Sequence, residues 1–369
     1  MVIIINILHI CSYYYGTKLY KNLMDNIITN DIGTMVFAPC ANTYNYNGNE
    51  EYLIKAKCFN KIDRLFFSYK YKKVYSYLIK NIDFKKFELT HAHSLFSNGY
   101  ISYRLYKEYN IPYIVAVRNT DINTFFKYMI HLRKLGMEII KNAKKIIFIS
   151  EAYIDRLMDY LPKEDIEAVK KKSVVIPNGI DNIFLMQDNI EKKLNKTEIN
   201  LVYTGRVDSN KNLITTIRCC KRILNHKYNV KLNVIGTIVS LKYKKIFSKN
   251  GFINYYGQKN KEEIIDIYKN MDIFVMPSKH ETFGLTYVEA MSQGLPVIYT
   301  KNEGFDKFFP DGEVGYPIKY NDYKEMANKI EGIISNYAYI SHNCKKNAQR
   351  FNWPDIAKKY VSIYEGIKE

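Results

Sequence analysis

The sequence lacks the features that mark membrane-spanning, secreted and zinc-binding chains. No apolar run reaches the ~20 residues needed to cross a bilayer, which excludes an ordinary transmembrane helix. The six cysteines include no C-x-x-C pair, so neither a zinc site nor a redox pair is indicated, and we expect reduced thiols. The first residues, MVIIINILHIC, lack the positively charged start of a signal peptide. These absences together predict a cytoplasmic protein.

The charge balance is strongly one-sided. Lys and Arg number 55 against 37 Asp and Glu, which is a formal net charge of +18. Such a charge favours nucleic acid, an anionic membrane surface or acidic small molecules as partners. The sequence has no P-loop, no RNP-like aromatic motif and no zinc-finger spacing. A nucleic-acid-binding protein is therefore the weakest alternative, and we predict no nucleic-acid partner.

Short apolar runs alternate with longer amphipathic stretches along the 369 residues, which predicts an α/β protein with parallel strands in two domains. Strands are predicted at 2–10, 34–38, 113–117, 145–149, 173–177, 199–204, 230–235, 272–276 and 296–299. Helices are predicted at 17–30, 97–109, 134–143, 151–160, 211–226, 261–270, 284–293, 322–336 and 354–367. The polar stretch 186–198 predicts a domain boundary after residue 185.

The most informative segment is DIFVMPSKHETFGLTYVEAMSQGLPVI, residues 272–298. A predicted strand runs into a loop that holds Glu281, and a helix then begins near Gly284 and carries Glu289. Ligands of α/β folds bind where such strands end, and a glycine at a helix start lets a phosphate approach the free N–H groups. The two glutamates could therefore face one crevice. The alternative is a solvated loop residue and a surface helix charge.

Two further segments carry weaker signals. In GRVDSNK, residues 205–211, a strand ends at Gly205 and is followed by Arg206 and Lys211. An arginine fork and a lysine point charge suit a diphosphate, although a basic loop is often simply solvated. In PNGID, residues 177–181, Asn178 lies in an Asn-Gly turn that follows a strand.

These three segments, in this order, resemble the retaining glycosyltransferases of family 4, which have the GT-B fold. The resemblance covers residues 145–318 strongly and the first half of the chain loosely. It implies two Rossmann-like domains with parallel sheets facing a central cleft. Residues 1–185 would bind the acceptor, residues 186–352 would bind the nucleotide-sugar donor, and the helix at 353–369 would pack back on the first domain.

The resemblance also implies roles for residues in the second half. Arg206 and Lys211 would hold the donor diphosphate, with Gly205 in the same loop, and Glu281 would contact the donor sugar near its reacting carbon or hydroxyls. The remaining expected donor contacts are backbone groups at the helix start, a ribose-binding glutamate and an asparagine in the interdomain crevice: Phe283, Gly284, Leu285, Glu289 and Asn178.

The first half resembles the family less closely. The loop CSYYYGTKLY, residues 11–20, keeps one glycine, Gly16, where relatives often have two near the donor phosphate and acceptor. THAHSLFSNGY, residues 90–100, resembles a His-x-His strand end, which places His93 at the cleft. Two histidines on one face could also bind a metal, but a third ligand is missing. Plain structural histidines are the alternative.

The clearest departure is AVRNTD, residues 116–121. Arg118 stands where many relatives have a histidine that approaches the sugar, and an arginine cannot act as a general base near neutral pH. We expect Arg118, Asn119 and Asp121 to line the acceptor side of the cleft. The alternative is a structural pair between Arg118 and Asp121.

Two stretches are rich in lysine and aromatic residues. Residues 52–87 hold ten Lys and Arg against two Asp, interleaved with Tyr and Phe, and residues 125–145 continue the pattern. Basic residues beside amphipathic aromatics suit an anionic membrane, so we expect a peripheral position on its inner face. An ordinary solvated basic face is the alternative.

The predicted activity is retaining transfer of a sugar from a nucleotide sugar, with UDP as the first choice, to a glycan or lipid-linked glycan. No D-x-D sequence occurs, so we predict neither a dedicated metal site nor a cofactor beyond the co-substrate. A sugar-nucleotide epimerase of the same fold remains an alternative.

Overall fold

The computed structural model describes residues 5–30, 32–46, 48–186, 192–194, 197–224 and 228–368. The chain divides into two compact units. Unit 1 contains the residues up to Ile149, Tyr153–Pro177 and those from Trp353 onward, and unit 2 contains Ser150–Ala152 and Asn178–Asn352. The first part of the predicted strand 2–10 and part of the predicted linker 186–198 lie outside the described residues.

Unit 1 is built on a seven-stranded parallel sheet of order β3-β2-β1-β4-β5-β6-β7. Its strands are β1 (Asn6–Ile10), β2 (Gly33–Ala41), β3 (Leu53–Phe59), β4 (Leu89–Ala92), β5 (Tyr113–Val117), β6 (Lys145–Phe148) and β7 (Ser173–Val175). Its helices are α1 (Lys18–Ile28), α2 (Phe67–Asn81), α3 (Gly99–Tyr109), α4 (Arg133–Asn142), α5 (Glu151–Met158), which begins in unit 2, and α6 (Lys163–Lys172).

Both faces of this sheet are buried, which explains its nearly continuous apolar strands. Along β1, Ile7 belongs to one core cluster, whereas Leu8 and Ile10 belong to the other. Successive residues of a strand point to opposite faces, so β1 contributes to both clusters.

Unit 2 is built on a six-stranded parallel sheet of order β10-β9-β8-β11-β12-β13. Its strands are β8 (Glu198–Thr204), β9 (Asn229–Ile235), β10 (Ile253–Gly257), β11 (Ile273–Val275), β12 (Val297–Thr300) and β13 (Gly315–Ile318). Its helices are α7 (Asn182–Leu185), α8 (Leu213–Leu224), α9 (Leu241–Ser248), α10 (Lys261–Lys269), α11 (Leu285–Ser292), α12 (Tyr323–Ser335) and α13 (Tyr337–Ala348).

The last helix, α14 (Trp353–Lys368), belongs to unit 1. Its apolar residues Ile356, Tyr360 and Tyr364 are buried in the same core cluster as Met24 and Ile27 of α1. A distant part of the sequence thus completes the core of the first unit, as the sequence predicted for residues 353–369.

The predicted boundary after residue 185 is corrected, because residues 178–185 belong to unit 2. Ile180 N–H donates to Phe351 O at 2.9 Å, and Gln293 Nε2 donates to Phe184 O at 3.0 Å. These bonds tie the segment to helices that come more than a hundred residues later. The chain therefore passes from unit 1 to unit 2 after Pro177, before the polar stretch that suggested the boundary, and it returns to unit 1 at Trp353.

Several elements were not predicted from the pattern. β3 and α2 lie inside the basic stretch 52–87, where exposed lysines mask the apolar face of Tyr71, Val74 and Leu78. β10 and β13 are edge strands, and β13 includes a proline, which edge strands tolerate. The strongly apolar strands were predicted correctly, because a strand that is buried on both faces has a continuous apolar run that stands out in the sequence. None of the described helices is long and apolar enough to cross a membrane.

Replacing Ile356 by alanine is expected to lower the free energy of unfolding, because this side chain is fully buried in the core of unit 1. Loss of a buried isoleucine side chain typically costs about 2–5 kcal/mol. Urea denaturation followed by circular dichroism measures the change. Lys359→Ala, at an exposed position of the same helix, is the control, and equal midpoints for the two variants would contradict this role of α14.

Candidate active site in unit 2

The loop after β8 presents Lys211 through a side-chain-capped turn. Asp208 Oδ1 accepts the backbone N–H groups of Asn210 and Lys211, each at 2.9 Å. Burial acts to raise the pKa of Asp208, but these N–H groups and the Arg206 guanidinium hold it below its usual value. An ionised Asp208 therefore shapes the turn.

The loop after β11 brings Glu281 to this lysine. Lys211 Nζ lies 2.5 Å from Glu281 Oε2, and Ser278 Oγ lies 3.3 Å from the same oxygen. Glu281 is 9% exposed. Two of the three predicted catalytic residues are thus in direct contact, although 70 positions separate them in the sequence.

Arg206 takes a different position. Its side chain is 70% exposed and forms an ion pair with Asp208, with Nη2 2.7 Å from Oδ2. The guanidinium therefore lies at the rim of the loop in this structure, whereas the Lys211 ammonium lies deeper.

Backbone and amide hydrogen bonds join the two loops. Asn210 Nδ2 donates to His280 O at 3.0 Å, and His280 N–H donates to Asn210 Oδ1 at 3.2 Å. Lys279 N–H also donates to Asn210 O at 2.7 Å. The loops therefore behave as one support for Lys211 and Glu281.

A third segment, after β12, braces Glu281 from the other side. Glu281 N–H donates to Glu303 Oε2 at 2.8 Å, and Gly304 N–H donates to Glu281 O at 2.9 Å. A Cβ atom at Gly304 would lie 1.9 Å from Thr282 O, so this close approach requires glycine. Sequence reasoning missed Glu303 and Asp208, because neither belongs to a recognisable motif.

The predicted helix start is confirmed at α11. Gly284 has φ 82°, in the left-handed region that favours glycine, and no side chain caps the first turn that follows it. The first N–H groups of α11 are therefore available to an anion, and the positive end of the helix dipole favours one. Phe283 is buried, with its ring centroid 5.5 Å from that of Phe308 and 5.7 Å from that of Phe351. Its side chain anchors the loop, while its backbone stays at the helix start.

Glu289 lies on α11 beside the segment that carries the Asn-Gly turn. Burial raises the pKa of Glu289 to about 7, the Lys261 ammonium acts to lower it, and the Asp181 carboxylate acts to raise it. Lys261 and Asp181 form an ion pair with each other. The segment with Asn178 and the helix with Glu289 are therefore neighbours, as one donor site requires.

In unit 1, His93 is part of a buried cluster with His9 and His91. His9 and His91 are directly opposite each other in the β1–β4 ladder, and His9 Nδ1 lies 3.1 Å from His93 Nε2. Burial lowers the pKa of His9 to about 3 and holds the pKa of His91 and His93 well below the usual value. The three imidazoles are therefore neutral, and the buried His93 fits the structural-histidine alternative.

The cluster supplies the third metal ligand that the sequence lacked, since a ligand nitrogen from each histidine lies within 4.8 Å of the others. Two features oppose a metal. The rings of His91 and His93 stack with centroids 4.0 Å apart and a 30° tilt, so their in-plane lone pairs converge poorly. The Arg118 cation also acts to lower the pKa of both histidines and would repel a second cation. His91 Nδ1 also lies 2.8 Å from Tyr364 OH, and the absence of a dedicated metal site stays a prediction.

Asp121 organises the loop that carries Arg118 and Asn119. Asp121 is 2% exposed, and its carboxylate accepts backbone N–H groups of Leu95, Phe96 and Arg118 at 2.9–3.1 Å. Burial raises the pKa of Asp121 to about 6, against these hydrogen bonds. Asp121 therefore holds two loops together through backbone N–H groups, and an acceptor contact for it stays a prediction.

Arg118 is drawn inward, since its Nε donates to His93 O at 3.2 Å. Asn119 Oδ1 accepts from Asn123 Nδ2 at 2.7 Å. Gly16 lies exposed beside the start of α1, where the Thr17 side chain accepts the Leu19 N–H. A donor contact for Gly16 stays a prediction.

Comparison with known proteins agrees with this arrangement. Residues 186–351 match the family model described as "Glycosyl transferases group 1", and residues 36–182 match "Glycosyltransferase Family 4". The capsular polysaccharide biosynthesis glycosyltransferase CapM of Staphylococcus aureus is 30% identical over 271 residues, which are 68% of this chain and 69% of CapM.

Solved structures show the same fold. Sucrose-phosphate synthase from Thermosynechococcus elongatus superposes with a TM-score of 0.75 at 18% identity, covering 98% of this chain and 99% of that one. Anabaena HepE in complex with UDP superposes with a TM-score of 0.71 at 14% identity, covering 98% of this chain and 100% of that one. The predicted GT-B class, with two α/β units on parallel sheets, is confirmed.

The raised pKa of Glu289 predicts a pH dependence of stability that Glu289→Gln removes. Its folded-state pKa is about 7, against an ordinary value of 4.5 for a glutamate. The folded protein therefore keeps a proton that the unfolded chain releases as the pH rises through this window. The free energy of unfolding of the wild type, relative to the variant, should fall by on the order of 2 kcal/mol between pH 5 and pH 8.

Urea denaturation of both proteins at the two pH values measures this difference. Glu331→Gln, which changes an exposed carboxylate of unit 2, is the matched control and should follow the wild type. A constant offset between wild type and Glu289→Gln across the pH range would show that Glu289 titrates normally.

Proposed function

The chain belongs to the group 1 glycosyltransferases, glycosyltransferase family 4, and from this membership we propose its substrates and mechanism. It transfers a sugar from a UDP-sugar to a hydroxyl group of a glycan or lipid-linked glycan, with retention of the anomeric configuration. The observation that carries the proposal is the contact between Lys211 and Glu281 in unit 2. It lies in the same unit as the uncapped start of α11, which follows Glu281 in the chain.

The donor diphosphate binds at the N-terminus of α11, where backbone N–H groups and the helix dipole favour an anion. Lys211 exchanges its contact with Glu281 for a contact with a phosphate oxygen. Its charge then balances the negative charge that grows on the departing diphosphate. Arg206, exposed at the rim of the same loop, provides a second cation.

Glu281 serves the sugar once the lysine has moved to the phosphate. Its carboxylate accepts hydrogen bonds from donor sugar hydroxyls or stabilises positive charge near the reacting carbon. Its backbone is held on both sides, by Glu303 and by Gly304. Such bracing keeps the carboxylate in position while its partner changes, which avoids reorganisation during the reaction.

Glu289 binds the ribose hydroxyls. With a pKa of about 7, it is poised to ionise when two hydroxyl donors replace its apolar surroundings, because hydrogen bonds to a carboxylate favour the charged form. The proposed donor site uses no metal ion, since basic side chains and backbone N–H groups neutralise the charge of the diphosphate.

Two similar proteins support the choice of substrates. HepE, which shares the fold, was solved with UDP, and CapM is named for capsular polysaccharide biosynthesis. On this basis we assign UDP as the carrier and surface polysaccharide as the product class.

Calorimetric titration with UDP, GDP, ADP and CDP tests the donor site. The wild type should bind UDP selectively, and Lys211→Ala should bind it about 10- to 100-fold more weakly, because one charge-assisted hydrogen bond is lost. Lys324→Ala, at an exposed position of unit 2, is the matched control and should bind normally. Absence of binding of any nucleotide by folded wild-type protein would overturn the transferase mechanism proposed here.

We further propose that unit 1 docks on an anionic membrane, where lipid-linked acceptors reside. Only part of the stretch 52–87 is available to a membrane surface, because β3 and the inner face of α2 belong to the core. Its outer part, residues 61–73, exposes Ile62, Leu65 and Phe66 at 67%, 76% and 64%, next to several basic residues. In the stretch 125–145, Tyr128 and Ile130 are 69% and 66% exposed.

Co-sedimentation with vesicles tests the docking. The wild type should pellet with phosphatidylglycerol vesicles more than with phosphatidylcholine vesicles, and salt should weaken the binding, because each basic residue contributes ~1 kcal/mol at such a surface. Leu65→Ser with Phe66→Ser should bind more weakly, whereas Tyr339→Ser, at a 65% exposed tyrosine of unit 2, should not. Binding that ignores lipid charge and salt would contradict the proposal.

A further inference from the structure

A small aromatic cavity lies in unit 1, apart from the residues assigned above. Its volume is 250 Å³. The residues that line it include Tyr15, Tyr44, Asn45, Tyr46, Lys55 and Lys57. They come from the loop after β1, the segment after β2 and strand β3. Loops at the carboxyl edge of a parallel sheet are where α/β folds bind ligands.

Three tyrosine rings form the apolar wall. The Tyr15 ring centroid lies 5.1 Å from that of Tyr44 and 5.0 Å from that of Tyr46. Two hydroxyls are anchored, since Tyr15 OH donates to Ala38 O at 3.0 Å and Tyr46 OH donates to Glu50 Oε1 at 2.9 Å. The rings are therefore held in place before any ligand arrives, as a binding wall requires. A sugar ring presents an apolar C–H face that packs on such aromatic surfaces.

Two lysines give the cavity its charge. Lys55 and Lys57 are two positions apart on the edge strand β3, so their side chains lie on the same face, and both are exposed. Lys57 Nζ lies 3.4 Å from Asn45 Oδ1, and Lys55 Nζ lies 5.6 Å from the Tyr46 ring centroid. The Glu50 carboxylate accepts from Tyr46 OH and lies 3.8 Å from Lys21 Nζ. No carboxylate is among the described lining residues.

The geometry points to a subsite for one acidic sugar unit of the acceptor glycan, either a uronate or a phosphorylated sugar. The tyrosines hold the ring, and Lys55 and Lys57 pair with its carboxylate or phosphate. The assignment of the sugar to an acceptor rests on the proposed transferase function. The volume is below the ~300–1,000 Å³ of sites for drug-sized ligands, so the cavity suits one sugar residue and is too small for a nucleotide.

Saturation-transfer NMR on the full chain tests the subsite, with UDP present in excess to occupy the donor site. The probes are methyl glucuronide and glucose 6-phosphate as the two acidic sources, methyl glucoside as the neutral sugar, and UMP. At least one acidic sugar should bind more tightly than the glucoside. UMP should receive no saturation, because UDP occupies the donor site and the cavity is too small for a nucleotide.

The variants separate the two parts of the cavity. Lys55→Ala with Lys57→Ala should weaken the acidic sugar about tenfold, to the level of the glucoside, whereas Lys85→Ala with Lys86→Ala, an exposed pair in the same unit, should not. Tyr44→Ala should weaken every sugar, and Tyr128→Ala should weaken none. Circular dichroism shows whether each variant is folded.

Equal binding of neutral and acidic sugars, acidic binding that survives the cavity variants, or no sugar binding would overturn the subsite. The failure of the proposed function is seen separately, in the calorimetric titration with UDP. Cavity variants that lose the sugar and keep UDP affinity support the subsite. A wild type that binds UDP and no sugar overturns the subsite alone.

Discussion

The contact between Lys211 and Glu281 is the interaction on which the arrangement of the candidate site in unit 2 depends. It brings opposite charges together at low exposure, which stabilises the pair only if both groups are held in good geometry. Asp208 holds the turn before the lysine, and Glu303 holds the backbone of the glutamate. Both supporting groups are acidic, and both act through backbone N–H groups. They therefore position the pair without competing for the lysine ammonium.

The parallel sheet explains why this contact can form. β8, β11 and β12 are neighbours in the sheet, so the loops that follow them meet at one edge. Each loop supplies one part: the lysine, the glutamate and the brace. Because the strands are parallel and buried on both faces, a one-residue shift of register would carry each side chain to the core on the opposite face, where it would not fit the existing packing. The packed core therefore fixes the positions of Lys211, Glu281 and Glu303 at the edge of the sheet.

Sequence reasoning could find the parts of the site that belong to one continuous segment. Glu281, Gly284 and Glu289 lie within nine residues, and their spacing around a strand end and a helix start carries much of the resemblance to the family. Lys211 was found because its own loop has a glycine and an arginine. Glu303 was not found, because its role comes from a hydrogen bond to a residue 22 positions earlier.

The same limit applies to the contacts in unit 1. Asp121 and Arg118 form a pattern that suits a ligand, but the fold turns the carboxylate towards the N–H groups of Leu95 and Phe96. His91 and His93 were visible as a pair, and His9, 82 positions before His91, joins them through the register of β1 and β4. Such cross-strand partners depend on strand order, which local patterning does not specify.

The net charge of +18 is divided among separate tasks. Lys192 is turned inward and donates to the carbonyl oxygens of Tyr268 and Met271, so part of the lysine excess satisfies backbone groups. Lys73 pairs with Asp63, which leaves the neighbouring exposed basic residues of 61–73 to set the surface potential.

Lys55 and Lys57 line a tyrosine cavity, and Lys211 lies deeper beside a carboxylate. Salt screens exposed charges more strongly than buried ones. Ionic strength therefore acts first on the outer surface and least on the contact at Glu281, which allows the tasks to be separated in solution.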